Sequence, residues 1–230
     1  MQLTFDAEVE AFRADFIAFL DEHLPDPAVT AQRSRSTADI PEWARDWQRA
    51  MFDNGWLLPG NPPEFGGRNA SILQQYVHRD ELSKRRIYQS FNPQGLGIIA
   101  ASLLSFGTDE QKQRWAVPIL RAEITAALGM SEPGAGSDLA SLRTSAVLED
   151  DHFVVNGQKV WTSGGHIADL GMFDVMQIVG AVKKRLHPVT AQLGHRLRRK
   201  PQVRADGNIA LDQETDAVEH MAGTLELDHT

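Results

Sequence analysis

Residues 129–141, Gly-Met-Ser-Glu-Pro-Gly-Ala-Gly-Ser-Asp-Leu-Ala-Ser, gather the groups best able to do chemistry in this chain. Gly134 and Gly136 sit in a turn that carries hydroxyls at Ser131 and Ser137 and a series of main-chain N–H groups. Glycine permits positive φ and lets a ligand approach the backbone closely. Successive N–H groups in such a turn form a concavity that binds anions. The plainer alternative is a surface turn stiffened by Pro133 and capped by Ser137 or Asp138. Two phosphate motifs are excluded: Leu139 stands where a dinucleotide fingerprint needs a third glycine or alanine, and no Gly-Lys-Ser/Thr follows to make a P-loop. A nucleophile elbow is excluded too, because Asp138-Leu139 follows Ser137 where a glycine spacing is required.

These groups need a frame. Residues 124–130 read as a strand running into the turn, and residues 143–149, 152–155 and 158–161 read as further strands, rich in Val, Thr and aromatics. Asn156-Gly157 between the last two predicts a type I′ hairpin. Upstream the period changes. Phe5, Val9, Phe12, Phe16, Phe19 and Leu20 recur at helical spacing and stop at Pro25 and Pro27. Pro41 suits the first turn of a second helix, with Trp43, Trp47 and Met51 on its buried face and Gly55 at its end. After the Pro/Gly-rich loop 59–67, a helix over residues 71–86 carries Leu73, Tyr76, Val77 and Leu82. Residues 95–106 are apolar on most sides, which predicts the central buried helix. Thr108 and Gln111 form a capping box for the next one, which Pro118 bends or breaks. The first ~120 residues therefore form a helical bundle whose aromatic stripes are core.

Composition narrows the function classes. A chain of 230 residues is large enough for one or two domains with a real core. A net charge of -8 argues against a nucleic-acid binder, and the N-terminus lacks the basic and apolar regions of a signal peptide. No apolar run approaches the ~20 residues of a membrane span, so a cytoplasmic protein is expected. There is no cysteine, hence no disulfide framework or thiolate site, and the eight histidines show no paired metal spacing, so no metal is assigned.

Residues 129–138, followed after a strand pair by Lys159-Val160-Trp161-Thr162-Ser163, closely resemble the flavin-binding signature of the acyl-CoA dehydrogenase family. Pro63-Glu64-Phe65-Gly66-Gly67, Arg79-Asp80-Glu81-Leu82 and residues 106–112 extend the similarity over roughly residues 5–170. The resemblance implies an α+β chain divided by segment. Residues 1–122 are the N-terminal helical domain, residues 123–170 a partial middle β-domain with the flavin signature, and residues 171–230 a poorly ordered tail outside the family pattern. In that tail residues 183–204 hold eight Lys/Arg and no acid, and residues 205–230 hold seven Asp/Glu and no Lys/Arg. A shifted frame or a fusion junction near residue 170 would account for such blocks. A basic nucleic-acid arm is disfavoured, since no aromatics interleave to stack bases.

The resemblance further implies FAD as cofactor, an acyl-CoA thioester as substrate, an electron-accepting flavoprotein, a homo- or hetero-oligomer, and a place in fatty-acid and lipid metabolism. Leu128, Met130 and Ser131 are expected along the isoalloxazine edge, with the Ser131 hydroxyl donating to the ring. Gly136 and Ser137 are expected near the flavin or the acyl-CoA phosphates, Trp161 beside the ring, Thr162 among the cofactor-binding residues, and Ser163 near the ring's reactive nitrogen. No catalytic residue is assigned. The family's base is a glutamate, usually in a C-terminal helical bundle, and Glu132 is expected to be a structural carboxylate. The chain is thus expected to be a form inactive alone. The alternatives are a flavin oxidase or monooxygenase on the same scaffold, or a non-catalytic partner or remnant.

Overall fold

The computed structural model describes residues 5–30, 40–149, 152–165, 167–179 and 182–192. Helix α1 (Ala7–His23) starts where the Asp6 carboxylate accepts the Val9 N–H at 2.9 Å, with Glu8 and Glu10 complementing the helix dipole. It buries Val9, Phe16, Phe19 and Leu20. After the short α2 (Pro27–Thr30), helix α3 (Glu42–Asp53) starts behind Pro41 and buries Ala44, Trp47, Gln48 and Met51. Gly55 then turns the chain at φ 72°. A side chain there would meet the Gly67 carbonyl at 2.8 Å. Helix α4 (Ile72–Lys84) carries a reciprocal cap between Ser71 and Gln74.

The apolar run that follows is a π-helical stretch, Gly95–Ala100, passing into α5 (Ala101–Phe106). Its burial is one-sided: Leu96, Ile99 and Leu103 lie in the core, whereas Ile98 is 44% exposed. The expected central buried helix is thus buried on one face, and Ile98 lies on the other. The Thr108–Gln111 capping box forms as read and opens α6 (Asp109–Gln111), a π-helical turn (Lys112–Ala116) and α7 (Val117–Leu120). Pro118 lies in the first turn of α7, where it needs no hydrogen-bond donor.

Five strands follow: β1 (Ala126–Gly129), β2 (Ser145–Glu149), β3 (His152–Asn156), β4 (Leu170–Val179) and β5 (Val182–Gln192). Strand β4 is the spine. β5 pairs antiparallel along its length on one edge, while β1 and β2 lie parallel to its first and second halves on the other. β3 pairs antiparallel with β2 from Ser145↔Asn156 to Glu149↔His152.

Two sequence expectations are overturned here. Residues 158–161 do not form a strand, so Asn156-Gly157 is no hairpin turn; the β2–β3 connection falls on residues 150–151, outside the described residues. Gly157 is instead pressed against Thr144, whose Cα lies 2.6 Å from where a Cβ would stand. The boundary expected at residue 170 also fails, because Leu170 opens β4 and pairing continues to Gln192. Strand β4 lies between neighbours on both edges, which is why it reads as a nearly continuous apolar run. The rest of the expected tail, residues 193–230, lies outside the described residues.

Helices and sheet share one core. Leu170 and Met172 of β4 and Ala126 of β1 pack with Phe16, Trp47, Ile99 and Trp115. Polar ties fix the start of both parallel strands. Asn92 donates to the Ala126 carbonyl at 2.9 Å and accepts its N–H at 3.0 Å. Asp169 accepts the Thr125 N–H at 2.9 Å and its hydroxyl at 3.0 Å.

Candidate functional site

The site grows from the end of β1. With the register Ala126↔Leu170 to Gly129↔Phe173 fixed, Met130 emerges 41% exposed and Ser131 half-buried. Leu128, one residue inside the strand, is half-buried and packs against the core. Gly129 is demanded by packing: a Cβ there would meet Phe173 at 2.5 Å and Lys159 at 3.3 Å. The chain then doubles back, with Glu132 N–H donating to the Ala135 carbonyl at 2.8 Å and Ala135 N–H to the Glu132 carbonyl at 3.1 Å.

Gly134 and Gly136 behave differently. A Cβ on either would meet nothing among the described residues within 4 Å, and neither adopts positive φ. Among the described residues nothing demands glycine at 136. The N–H groups of Gly134, Gly136, Ser137 and Asp138 make no hydrogen bond to the described residues, and Ser137 is exposed. The turn is closed behind them by Ser141, whose hydroxyl donates to the Asp138 carbonyl at 2.8 Å.

A second segment lies alongside. The Val160 N–H donates to the Ser131 carbonyl at 2.9 Å, which places Trp161 next to the end of β1. Trp161 is 85% exposed and holds φ at 59°. That left-handed backbone is an outlier for a bulky residue. Burying such a ring removes 150–250 Å² from water and stabilises by on the order of 4 kcal/mol, a gain the chain leaves unrealised. The Thr162 hydroxyl is buried with no partner among the described residues, and the exposed Ser163 donates its N–H to the Trp161 carbonyl at 2.9 Å. An exposed ring on strained backbone, an orphaned hydroxyl, open glycines and unpaired N–H groups thus lie on two segments joined by the Val160–Ser131 bond. These residues fit a planar, phosphate-bearing cofactor.

Glu132 is anchored. Its Oε1 accepts the Thr144 N–H at 2.9 Å and the Lys159 ammonium at 3.0 Å, and its Oε2 accepts the Arg143 N–H at 2.6 Å. Burial opposes ionisation, but the hydrogen bonds from Thr144, Arg143 and Lys159 outweigh it and hold the carboxyl down to about 2. Such a group takes no proton from a substrate near neutrality. Sequence reasoning did not find Lys159 as its partner, nor Asp174, a half-buried carboxylate on β4 pushed up by burial against the opposing charge of Lys159. A signal for Asp174 was present: it is the lone acid within the apolar run Leu-Gly-Met-Phe-Asp-Val. Among the described residues no cluster of three or more His, Asp or Glu could hold a metal, and no helix is long and apolar enough to cross a membrane.

Comparison with known proteins agrees with this frame. The pattern describing "Acyl-CoA dehydrogenase, N-terminal domain" matches residues 6–123, and that describing "Acyl-CoA dehydrogenase, middle domain" matches residues 127–195. The chain belongs to the acyl-CoA dehydrogenase family, whose members are FAD flavoproteins. It is 41% identical over 119 residues to acyl-CoA dehydrogenase FadE26 of Mycobacterium tuberculosis, covering 52% of this chain and 29% of that protein. Among solved structures, the Tcur3481-Tcur3483 steroid ACAD superposes with a TM-score of 0.64 at 33% identity, covering 84% of this chain and 49% of that one. The ChsE4-ChsE5 complex from Mycobacterium tuberculosis also gives 0.64, at 28% identity over the same shares. The chain spans less than half the length of each of these relatives. The middle-domain match runs past residue 170 and agrees with the pairing of β4 and β5.

Proposed function

We propose that this chain forms one wall of an FAD site serving the α,β-dehydrogenation of an acyl-CoA thioester. The observation that carries the reading is the 2.9 Å bond from the Val160 N–H to the Ser131 carbonyl, which sets an exposed Trp161 indole beside the hydroxyl-bearing end of β1. When bound, FAD supplies the acceptor for the hydride leaving the substrate β-carbon. The main chain of Leu128, Met130 and Ser131 lies along the ring edge, and the Ser131 hydroxyl donates to it. Trp161 covers one side and excludes water. The hydroxyls of Thr162 and Ser163 offer donors near the reactive end. The unpaired N–H groups at Gly136 and Ser137 hold phosphate oxygens of the cofactor or of the acyl-CoA.

The α-proton needs a base within about 2.6–3.2 Å or one water away. Glu132 is excluded by its three hydrogen bonds, and we assign the base to none of the described residues. We infer that the chain by itself does not turn over and acts within an oligomer, handing electrons to a flavoprotein acceptor in the cytoplasm. The pairing of two differently named chains in the ChsE4-ChsE5 complex supports a hetero-oligomer, and the steroid ACAD similarity makes a ring-bearing acyl group a candidate beside straight-chain ones. The similarity to a complex of two differently named chains also supports a second reading, a non-catalytic partner subunit. An oxidase on this scaffold would consume oxygen with no acceptor added.

The test is FAD titration of the purified protein, followed by addition of steroid and straight-chain acyl-CoA thioesters while the visible flavin band is recorded. Retained FAD that bleaches on addition of one class supports the enzyme; retained FAD that never bleaches supports the partner reading. Protein that stays colourless overturns the flavin site. Trp161→Ala is expected to weaken FAD binding about tenfold, the loss of one aromatic stack, without lowering the unfolding midpoint.

A further inference from the structure

The ion pair of Lys159 and Glu132 is buried, with side-chain exposures of 2% and 7%. Lysine is almost never buried so fully unless paired. Its ammonium makes two bonds: one to Glu132 Oε1 at 3.0 Å, the other to the Met130 carbonyl at 2.9 Å. Glu132 in turn holds the N–H groups of Arg143 and Thr144. One buried charge pair therefore joins the end of β1, the entry to β2 and the segment leading to Trp161.

The bond to Met130 has a directional consequence. In a trans peptide the C=O and the following N–H point to opposite sides. Drawing the Met130 carbonyl inward to Lys159 turns the Ser131 N–H the other way, and that N–H makes no hydrogen bond among the described residues. Replacing a buried ion pair with apolar residues is often neutral or stabilising, so folding stability alone does not explain this pair. We propose that Lys159 is a positioning residue: by gripping the Met130 carbonyl and Glu132 together, it aims the Ser131 N–H toward the flavin and fixes the gap between Ser131 and Trp161. The inference rests on the FAD reading above for its ligand, and on Lys159 alone for its mechanism.

The experiment compares the intact protein with Lys159→Met and with the double variant Glu132→Gln/Lys159→Met. Three quantities are read in each: the unfolding midpoint, FAD affinity, and hydrogen exchange of the Val160 amide. The single variant leaves Glu132 without its cation and is expected to lose stability, part of which the double variant recovers by removing the unpaired charge, while the amide nitrogen introduced at 132 leaves one main-chain N–H without its acceptor. A positioning role predicts that FAD binding stays at least about tenfold weaker in the double variant and that Val160 still exchanges faster, because the Met130 carbonyl has lost its donor in both. Recovery of wild-type FAD affinity with recovered stability would overturn the proposal and leave the pair purely structural. If the wild-type protein takes up no FAD, the flavin reading falls. The exchange measurement then decides the clamp: faster exchange in the restabilised double variant upholds it, unchanged exchange sinks it.

Discussion

Asn92 pairs with the main chain of Ala126 as a second strand would, donating to its carbonyl at 2.9 Å and accepting its N–H at 3.0 Å. This contact joins the loop ahead of the π-helical stretch to the first residue of β1, 34 positions on. Everything in the candidate site lies downstream of that anchor. Asn92→Ala leaves two part-buried main-chain groups unpaired and is expected to lower stability by about 1–3 kcal/mol. Asn92→Asp keeps the acceptor, loses the donor, and sets a charge against the Ala126 carbonyl, so it is expected to be no better than alanine. Denaturant unfolding of the two variants measures both.

Gly129 and Gly136 separate packing from ligand approach. A side chain at 129 meets Phe173 and Lys159, whereas one at 136 meets nothing among the described residues. Gly129→Val is expected to destabilise the fold by about 1–3 kcal/mol through overpacking. Gly136→Val is expected to leave the unfolding midpoint unchanged and to weaken FAD retention sharply. Unfolding curves and FAD titrations on the same two preparations check this, and equal FAD loss in both variants would deny the turn a special role.

His78 sets an acid-side dependence. It is 2% exposed, its ring centroid lies 4.2 Å from that of Phe16 in a tilted contact, and its Nε2 has no partner among the described residues. Burial foremost, helped by the Arg79 charge and resisted by a Trp56 main-chain bond, lowers its pKa from 6.5 to about 4. The unfolded chain then binds more protons than the folded one between those values, so stability is fully present above pH 6.5 and falls as pH drops toward 4. The loss is on the order of 3 kcal/mol. His78→Phe is expected to flatten the stability–pH curve over that window. A remaining acid-side fall below pH 4.5 belongs to Glu132 and Glu81, both held below the usual carboxylate range, whose stabilising contributions are lost as they protonate. Urea unfolding at a series of pH values resolves the two.

The helical half was legible because its signals are local. The Thr108–Gln111 box and Gly55 act within a few residues of the ends they define, and both do so as read. The turn at 129–141 was legible for the same reason: its glycines, hydroxyls and N–H groups are neighbours in the chain. The hairpin at Asn156-Gly157 misled because a local turn preference was outweighed by Thr144, which packs against Gly157 from 13 residues away. Lys183 to Arg185 misled in another way. A block of charge describes side chains, while strand β5 is held by main-chain pairing to β4, which net charge does not report.

The sequence by itself determined the family, the helices and their caps, and the stretch that carries the candidate site. Tertiary structure alone decided what the site's residues touch. Glu132 and Lys159 stand 27 positions apart, and only the parallel pairing of β1 with β4, together with the return of the chain at Val160, brings them within 3.0 Å. It also decided that Gly129 is required by packing and Gly136 is not, and that Trp161 faces outward. Contact across such distances depends on the summed geometry of the intervening chain, which no short window of residue types contains.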